Sequence, residues 1–116
     1  MSAPAKLPEP PYFAVIFSTL RTEGDSGYGE MANAMEKLAA EQPGYLGIES
    51  AREPGGLGIT VSYWKDEASI LAWKKNLDHT AARNMGREKW YQCYELRVAK
   101  VERAYSFDVA SKTSDR

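Results

Sequence analysis

The chain has 116 residues, 43% of them hydrophobic, and a formal net charge of −1 with both signs mixed along its length. That length suits one domain with a core of its own and no need of disulfide staples, and the balanced charge excludes the basic surface of a nucleic-acid binder. A lone cysteine, Cys93, excludes an internal disulfide and points to a reducing cytoplasm, while the absence of a long apolar run or an apolar leader argues against a membrane partner.

Residues 1–11, MSAPAKLPEPP, are rich in proline, which lacks an N–H and fixes φ, so they read as an extended arm. Tyr12–Leu20 is aromatic and β-branched, with Phe13, Val15 and Phe17 facing one way and Ala14, Ile16 and Leu20 the other. A strand apolar on both faces is covered on both. Arg21–Glu30 is a polar, glycine-rich connection that lacks the GK[ST] ending and the full GxGxxG spacing of a phosphate loop. From Tyr28 to Gln42 the apolar residues Tyr28, Met31, Met35, Leu38 and Ala39 recur at helical spacing, and Pro43-Gly44 stops the helix.

Tyr45–Arg52 and Leu57–Lys65 flank the turn Glu53–Gly56 and predict a hairpin. Asp66 is placed to cap a helix in which Ile70, Trp73 and Leu77 share a stripe. Helical character continues through LDHTAARNMGREKW, weakened at Gly86. A long last strand, Tyr91–Phe107, precedes a polar tail, 108–116. The domain proper therefore spans 12–107.

The order β-α-β-β-α-β predicts an α+β, ferredoxin-like domain whose four-stranded antiparallel sheet carries both helices on one face. The strands are apolar on both faces, so the helix-free face needs a cover. A second copy packed sheet to sheet supplies it, with Leu96 or Val98 contributing. A homodimer is the expected assembly.

His79 is the only side chain whose ordinary pKa lies near neutrality. Over a cavity it would accept a phenol proton; on a helix surface it would be a cap or idle. Arg83 and Arg87 follow at steps of four, so one helical face can present an imidazole and two guanidiniums toward an anionic oxygen. Salt bridges to Glu88, Glu95 or a dimer mate are the alternative use. Trp64, Trp73 and Trp90 with Tyr63, Tyr91 and Tyr94 suit either a core or the wall of a flat aromatic pocket. Cys93, inside a strand pattern, reads as a buried structural thiol. One histidine and one cysteine argue against a zinc site, and no paired-carboxylate spacing occurs.

The stretch ITVSYWKDEASILAWKKN, with PGYLGIESARE before it, resembles the antibiotic biosynthesis monooxygenase family of the dimeric α+β barrel superfamily. The signature residues are Pro43, Gly44, Tyr45 and Gly47, then Tyr63, Trp64, Asp66, Ser69, Ile70 and Trp73. The resemblance spans Tyr12 to Phe107 and implies a dimeric barrel. The family holds cofactor-free oxygenases, quinol oxygenases and haem-degrading enzymes. The haem branch uses an asparagine in the first strand, a tryptophan in the second helix and a histidine ten residues later. Here Trp73 fits, but Phe17 and Ser18 stand in the strand and Arg83 stands for the histidine, which disfavours haem.

The resemblance thus implies a cofactor-independent monooxygenase of a small aromatic or quinol-type compound. His79 would be its base and Arg83 its anion stabiliser. Trp73, Tyr63, Trp64, Asn76, Arg87, Trp90 and Tyr91 would contact the substrate, with no metal and no cofactor. The rival from another class is a dimeric small-molecule-binding or stress protein without turnover.

Overall fold

The computed structural model describes residues 3–21, 28–84 and 91–109, with the side chains of 28–31, 77–84 and 91–92 outside that description. The elements follow in the expected order: β1 (Tyr12–Arg21), α1 (Tyr28–Ala40), β2 (Tyr45–Arg52), β3 (Leu57–Trp64), α2 (Glu67–Asn84) and β4 (Tyr91–Val101). All strand pairs are antiparallel, in the order β2-β3-β1-β4. This is the ferredoxin-like α+β arrangement. The glycine-rich connection lies largely outside the described residues.

Strand register sorts the side chains into two faces. Val15 and Trp64 form the core with Ala39 of α1 and with Ile70 and Trp73 of α2. Phe13, Met35, Leu38, Tyr45 and Leu96 pack around them, so both helices lie on one face. That face has four cross-strand rows. Tyr45, Trp64, Phe13 and Lys100 form the first, and Ile48, Ser62, Val15 and Val98 the second. Ser50, Thr60, Phe17 and Leu96 come third, then Arg52, Gly58, Thr19 and Tyr94. Leu96 and Val98 thus belong to the helix-bearing face and not to the helix-free one. Parity decides this, because Val98 lies opposite core residue Val15 and Leu96, two residues away, itself packs against the core.

The helix-free face carries Leu20, Leu57, Ile59, Val61, Ile16, Tyr63, Ala14 and Ala99. Leu20, Leu57 and Ile59 are exposed there. Cys93 pairs with Leu20 and is exposed, not buried, because β4 is the outer strand of the sheet.

Two local devices set the ends of the helices. After α1, the amides of Glu41 and Gln42 donate to the carbonyls of Leu38 and Ala39 at 3.2 and 3.0 Å. Gly44 then turns with φ +86°, and a side chain there would also place its Cβ 2.6 Å from Ser69 Cβ. At the start of α2, Asp66 Oδ1 accepts from the Ser69 amide at 2.8 Å and from its hydroxyl at 2.7 Å. These bonds, the hydroxyl's first, hold the Asp66 carboxyl below its ordinary pKa.

β4 ends at Val101, short of the expected Phe107. Its partner runs out there: Val101 pairs with Tyr12, the first residue of β1, and Pro11 precedes it without an N–H to offer. The N-terminal arm does not simply hang free. The Ala5 amide donates to Glu49 Oε2 at 2.8 Å, and Ala5 and Leu7 lie over Gly47 on the helix-free side of β2.

Candidate functional site

β1 and β2 finish, and β3 and β4 begin, at one end of the sheet, called distal below. α2 leaves the opposite end after Trp64 and runs to Asn84 before the chain enters β4. The second half of α2, with His79 and Arg83, therefore reaches the distal end. α1 packs against β2 and α2 against β3.

Chemistry changes along the helix-bearing face. Near the start of β1 it is aromatic and closed. Trp64 is 0% exposed, and its ring stacks on Trp73 at 5.9 Å between centroids and 22° between planes. Its indole N–H donates to Ser62 Oγ at 2.9 Å, so the buried polar atom is satisfied. Tyr45 meets the same indole edge-on at 5.7 Å. Further along, Ser50 and Thr60 hydroxyls are 2.8 Å apart. Phe17 and Tyr94 form a tilted ring pair at 5.2 Å.

In the distal row the Arg52 guanidinium crosses the sheet. Its Nη2 donates to Thr19 Oγ1 on β1, and its Nη1 donates to the Gly56 carbonyl at 3.0 Å. Gly58 lies beneath it, and a Cβ there would collide with Cζ and Nη2 of Arg52. A half-buried cation, buried Thr19, two further hydroxyls and a pair of aromatic rings thus share the distal half of one face. Such a surface can hold a flat ring and meet an oxygen on its rim.

The residues singled out in the sequence separate into groups. Trp64 and Trp73 come together, in the core. Tyr63 faces the other side of the sheet, where its hydroxyl donates to Glu49 Oε1 at 2.7 Å and Tyr12 meets its ring edge-on at 5.8 Å. Burial, then the bond to Glu49, pushes the Tyr63 phenol up to about 12. Asn76 is exposed and donates to Gln42 Oε1 at 3.0 Å, tying α2 to the end of α1. His79 and Arg83 lie on α2, and Tyr91 opens β4 opposite Arg21, all with side chains outside the description. Arg87 and Trp90 lie outside the described residues.

Sequence reasoning missed Arg52, Thr19 and Gly58. The signal was present in the hairpin, whose tight turn sets Arg52 opposite Gly58, an arginine beside a space. An open cleft of about 460 Å³ is lined by Ala3 and Pro4 of the arm, Glu36 of α1 and Ile48, Glu49 and Ser50 of β2, and a second of about 420 Å³ lies between α1 and β2. Tyr45 borders the second, its phenol raised by burial and then by Glu36. Among the described residues no group of three His, Cys, Asp or Glu side chains is arranged to hold a metal ion. No described helix is long and apolar enough to cross a membrane.

Comparison with known proteins bears on what this face is for. Residues 11–85 match the family model of antibiotic biosynthesis monooxygenase, from the arm's last proline to the end of α2. The chain belongs to the antibiotic biosynthesis monooxygenase family.

Within or beside that family, the protein YqjZ of Bacillus subtilis is 54% identical over 103 residues, 89% of this chain and 90% of its own length. The jasmonate monooxygenase of Pyricularia oryzae is 30% identical over 93 residues, 77% of this chain, and the match spans only 43% of that enzyme. Among solved structures, SnoaB, a cofactor-independent oxygenase from Streptomyces nogalater, superposes with a TM-score of 0.65 at 12% identity, covering 82% of this chain and 97% of its own. At that identity the likeness concerns the fold.

Proposed function

We propose that this chain is a cofactor-independent monooxygenase of a small aromatic or quinol-type compound. The observation that carries the reading is the distal half of the helix-bearing face. There an aromatic pair, a hydroxyl row and a guanidinium stand at the end of the sheet reached by the part of α2 that holds the chain's single histidine. Family membership and the relation to a jasmonate monooxygenase support the reaction class.

In the proposed reaction the substrate supplies the electrons. His79 removes the acidic phenol proton of the substrate. The resulting anion passes one electron to dioxygen, and the caged pair recombines to form a carbon–oxygen bond. Protonation gives a hydroperoxide. Loss of the hydrogen that carbon still bears, with cleavage of the O–O bond, leaves a carbonyl and one water. One oxygen atom ends in product and the other in water. Arg83 stabilises the anion, and the packed aromatic end of the face, anchored by Trp64 and Trp73, keeps water out.

The assembly we propose is a homodimer closed over the helix-free face. Leu20, Leu57 and Ile59 are exposed there, and soluble monomers rarely leave such a face uncovered. Beyond β4, Tyr105, Phe107 and Val109 recur at every second position and are 70%, 72% and 76% exposed, further apolar side chains for a second copy to cover. Oxygen uptake on a panel of phenols and quinols, in buffer treated with chelator, tests the activity. Uptake with none of them, while the same compounds bind, would favour the binding-protein reading.

A further inference from the structure

We infer that Arg52 is the residue that recognises an anionic oxygen on the helix-bearing face, and that the substrate carries a carboxylate or ionised hydroxyl on its aromatic frame. The inference rests on the reading above that the substrate occupies the helix-bearing face, and it adds the charge that the substrate must carry.

The geometry has three parts. First, the guanidinium is held in place rather than free to swing. Arg52 sits at the end of β2, yet its fork reaches two strands away to Thr19, and its second nitrogen reaches the turn at Gly56. Second, the site has been cleared for it. Gly58 is buried and lies directly under the fork, and a Cβ there would collide with it. Third, its neighbours suit a ring that bears an oxygen. Thr19 and Tyr94 share its row, and Phe17, Ser50 and Thr60 form the next. A guanidinium stays charged throughout the physiological range and meets carboxylate oxygens through a planar fork. Held beside the Phe17–Tyr94 ring pair, it places a fixed positive charge at the rim of an aromatic floor.

A purely structural role makes a different prediction. If Arg52 only staples the hairpin to β1, its loss lowers stability and leaves ligand charge irrelevant. The two roles separate with a matched pair of probes, 2-naphthoate and its neutral isostere 2-naphthamide, titrated against the purified protein by ligand-detected NMR. The wild type is expected to bind the carboxylate at least about 10-fold more tightly than the amide, the scale of one charge-assisted hydrogen bond. Arg52→Gln and Gly58→Ala are expected to erase that preference while binding the amide as the wild type does, which also reports that each variant is folded. Arg52→Lys keeps the charge without the fork and is expected to restore only part of the preference. Equal binding of the two probes by the wild type overturns the inference. So does a carboxylate preference that survives in Arg52→Gln, or a wild type that binds neither probe. An Arg52-dependent preference without oxygen uptake on any substrate would support this inference and count against the oxygenase reading alone.

Discussion

Trp73 lies flat on Trp64, ring centroids 5.9 Å apart, and this contact fastens α2 to the centre of the sheet. Both side chains are buried, and the Trp64 indole is already paired with Ser62. Truncating Trp73 opens a cavity against a side chain that has nowhere to move. Trp73→Ala is therefore expected to cost about 3–5 kcal/mol of unfolding free energy, read by urea denaturation. A loss under about 1 kcal/mol would show that the ring acts as a pocket wall and not as core.

The entry to α2 depends on Asp66, and the turn before β2 depends on Gly44. Asp66→Ala removes the acceptor of two bonds from Ser69, and Gly44→Ala puts a Cβ into the same serine at a positive φ. Each change should lower the melting temperature by several degrees. The lowered pKa of Asp66 also fixes the sign with pH. Its contribution is complete above the ordinary carboxylate pKa and is lost as pH falls through the depressed folded value. The Asp66→Ala deficit should accordingly shrink in acid, and a deficit that grows there would contradict the cap.

Much of the fold is legible because the relevant forces are local. Alternation in Tyr12–Leu20, the EPGG turn and the Asp66 cap act within a few residues, and the structure keeps each of them. What was not legible depends on partners distant in sequence. β4 stops at Val101 because β1 has no residue left to pair, which nothing in YQCYELRVAKVERAYSF announces. Cys93 looks like a core position by pattern and is exposed because β4 is an outer strand. Leu96 and Val98 lie on the helix-bearing face and not the expected one, because a strand apolar on both sides hides its parity. The meaning of Arg52 appears only when Gly58 and Thr19 lie next to it. Tyr63 and Trp64 are adjacent in sequence and so face opposite sides of the sheet, which makes a shared wall impossible for the pair within one subunit.

Tyr63 offers an alkaline readout of the helix-free face. Burial and the bond to Glu49 raise its phenol to about 12, above the ordinary 10.0. The neutral form is the one the fold favours, so the contribution is complete below the ordinary pKa and is lost as pH rises from 10.0 toward about 12. The stability difference between wild type and Tyr63→Phe should be flat up to the lower limit and decline across that interval. A difference that stays constant through it would remove the Glu49 bond from the account.

His79→Ala addresses the proposed base. The variant should fold and assemble like the parent and turn over an oxidisable phenol or quinol about 10²–10⁴-fold more slowly, the range for one positioned acid–base group. Its rate should also lose the limb of the pH profile that reports imidazole ionisation. A lowered melting temperature with unchanged turnover per folded molecule would assign His79 to structure and move the search for a base elsewhere on α2.

The homodimer over the helix-free face should bury upward of roughly 2,000 Å² and run as a dimer by light scattering at micromolar concentration. Leu57→Glu and Ile59→Glu, both on exposed β3 positions of that face, should shift it toward monomer. A compact monomer for the parent chain would contradict the proposed assembly.

The proposed activity places one atom of dioxygen into an aromatic substrate without an added cofactor. Turnover of an active phenol or quinol under isotopically labelled dioxygen, in chelator-treated buffer, followed by mass spectrometry of the product, tests it most directly. One labelled oxygen atom is expected in each product molecule, with the other recovered in water. Product formed with its new oxygen drawn from unlabelled water, or turnover that stops when the chelator is added and returns with a metal, would contradict it.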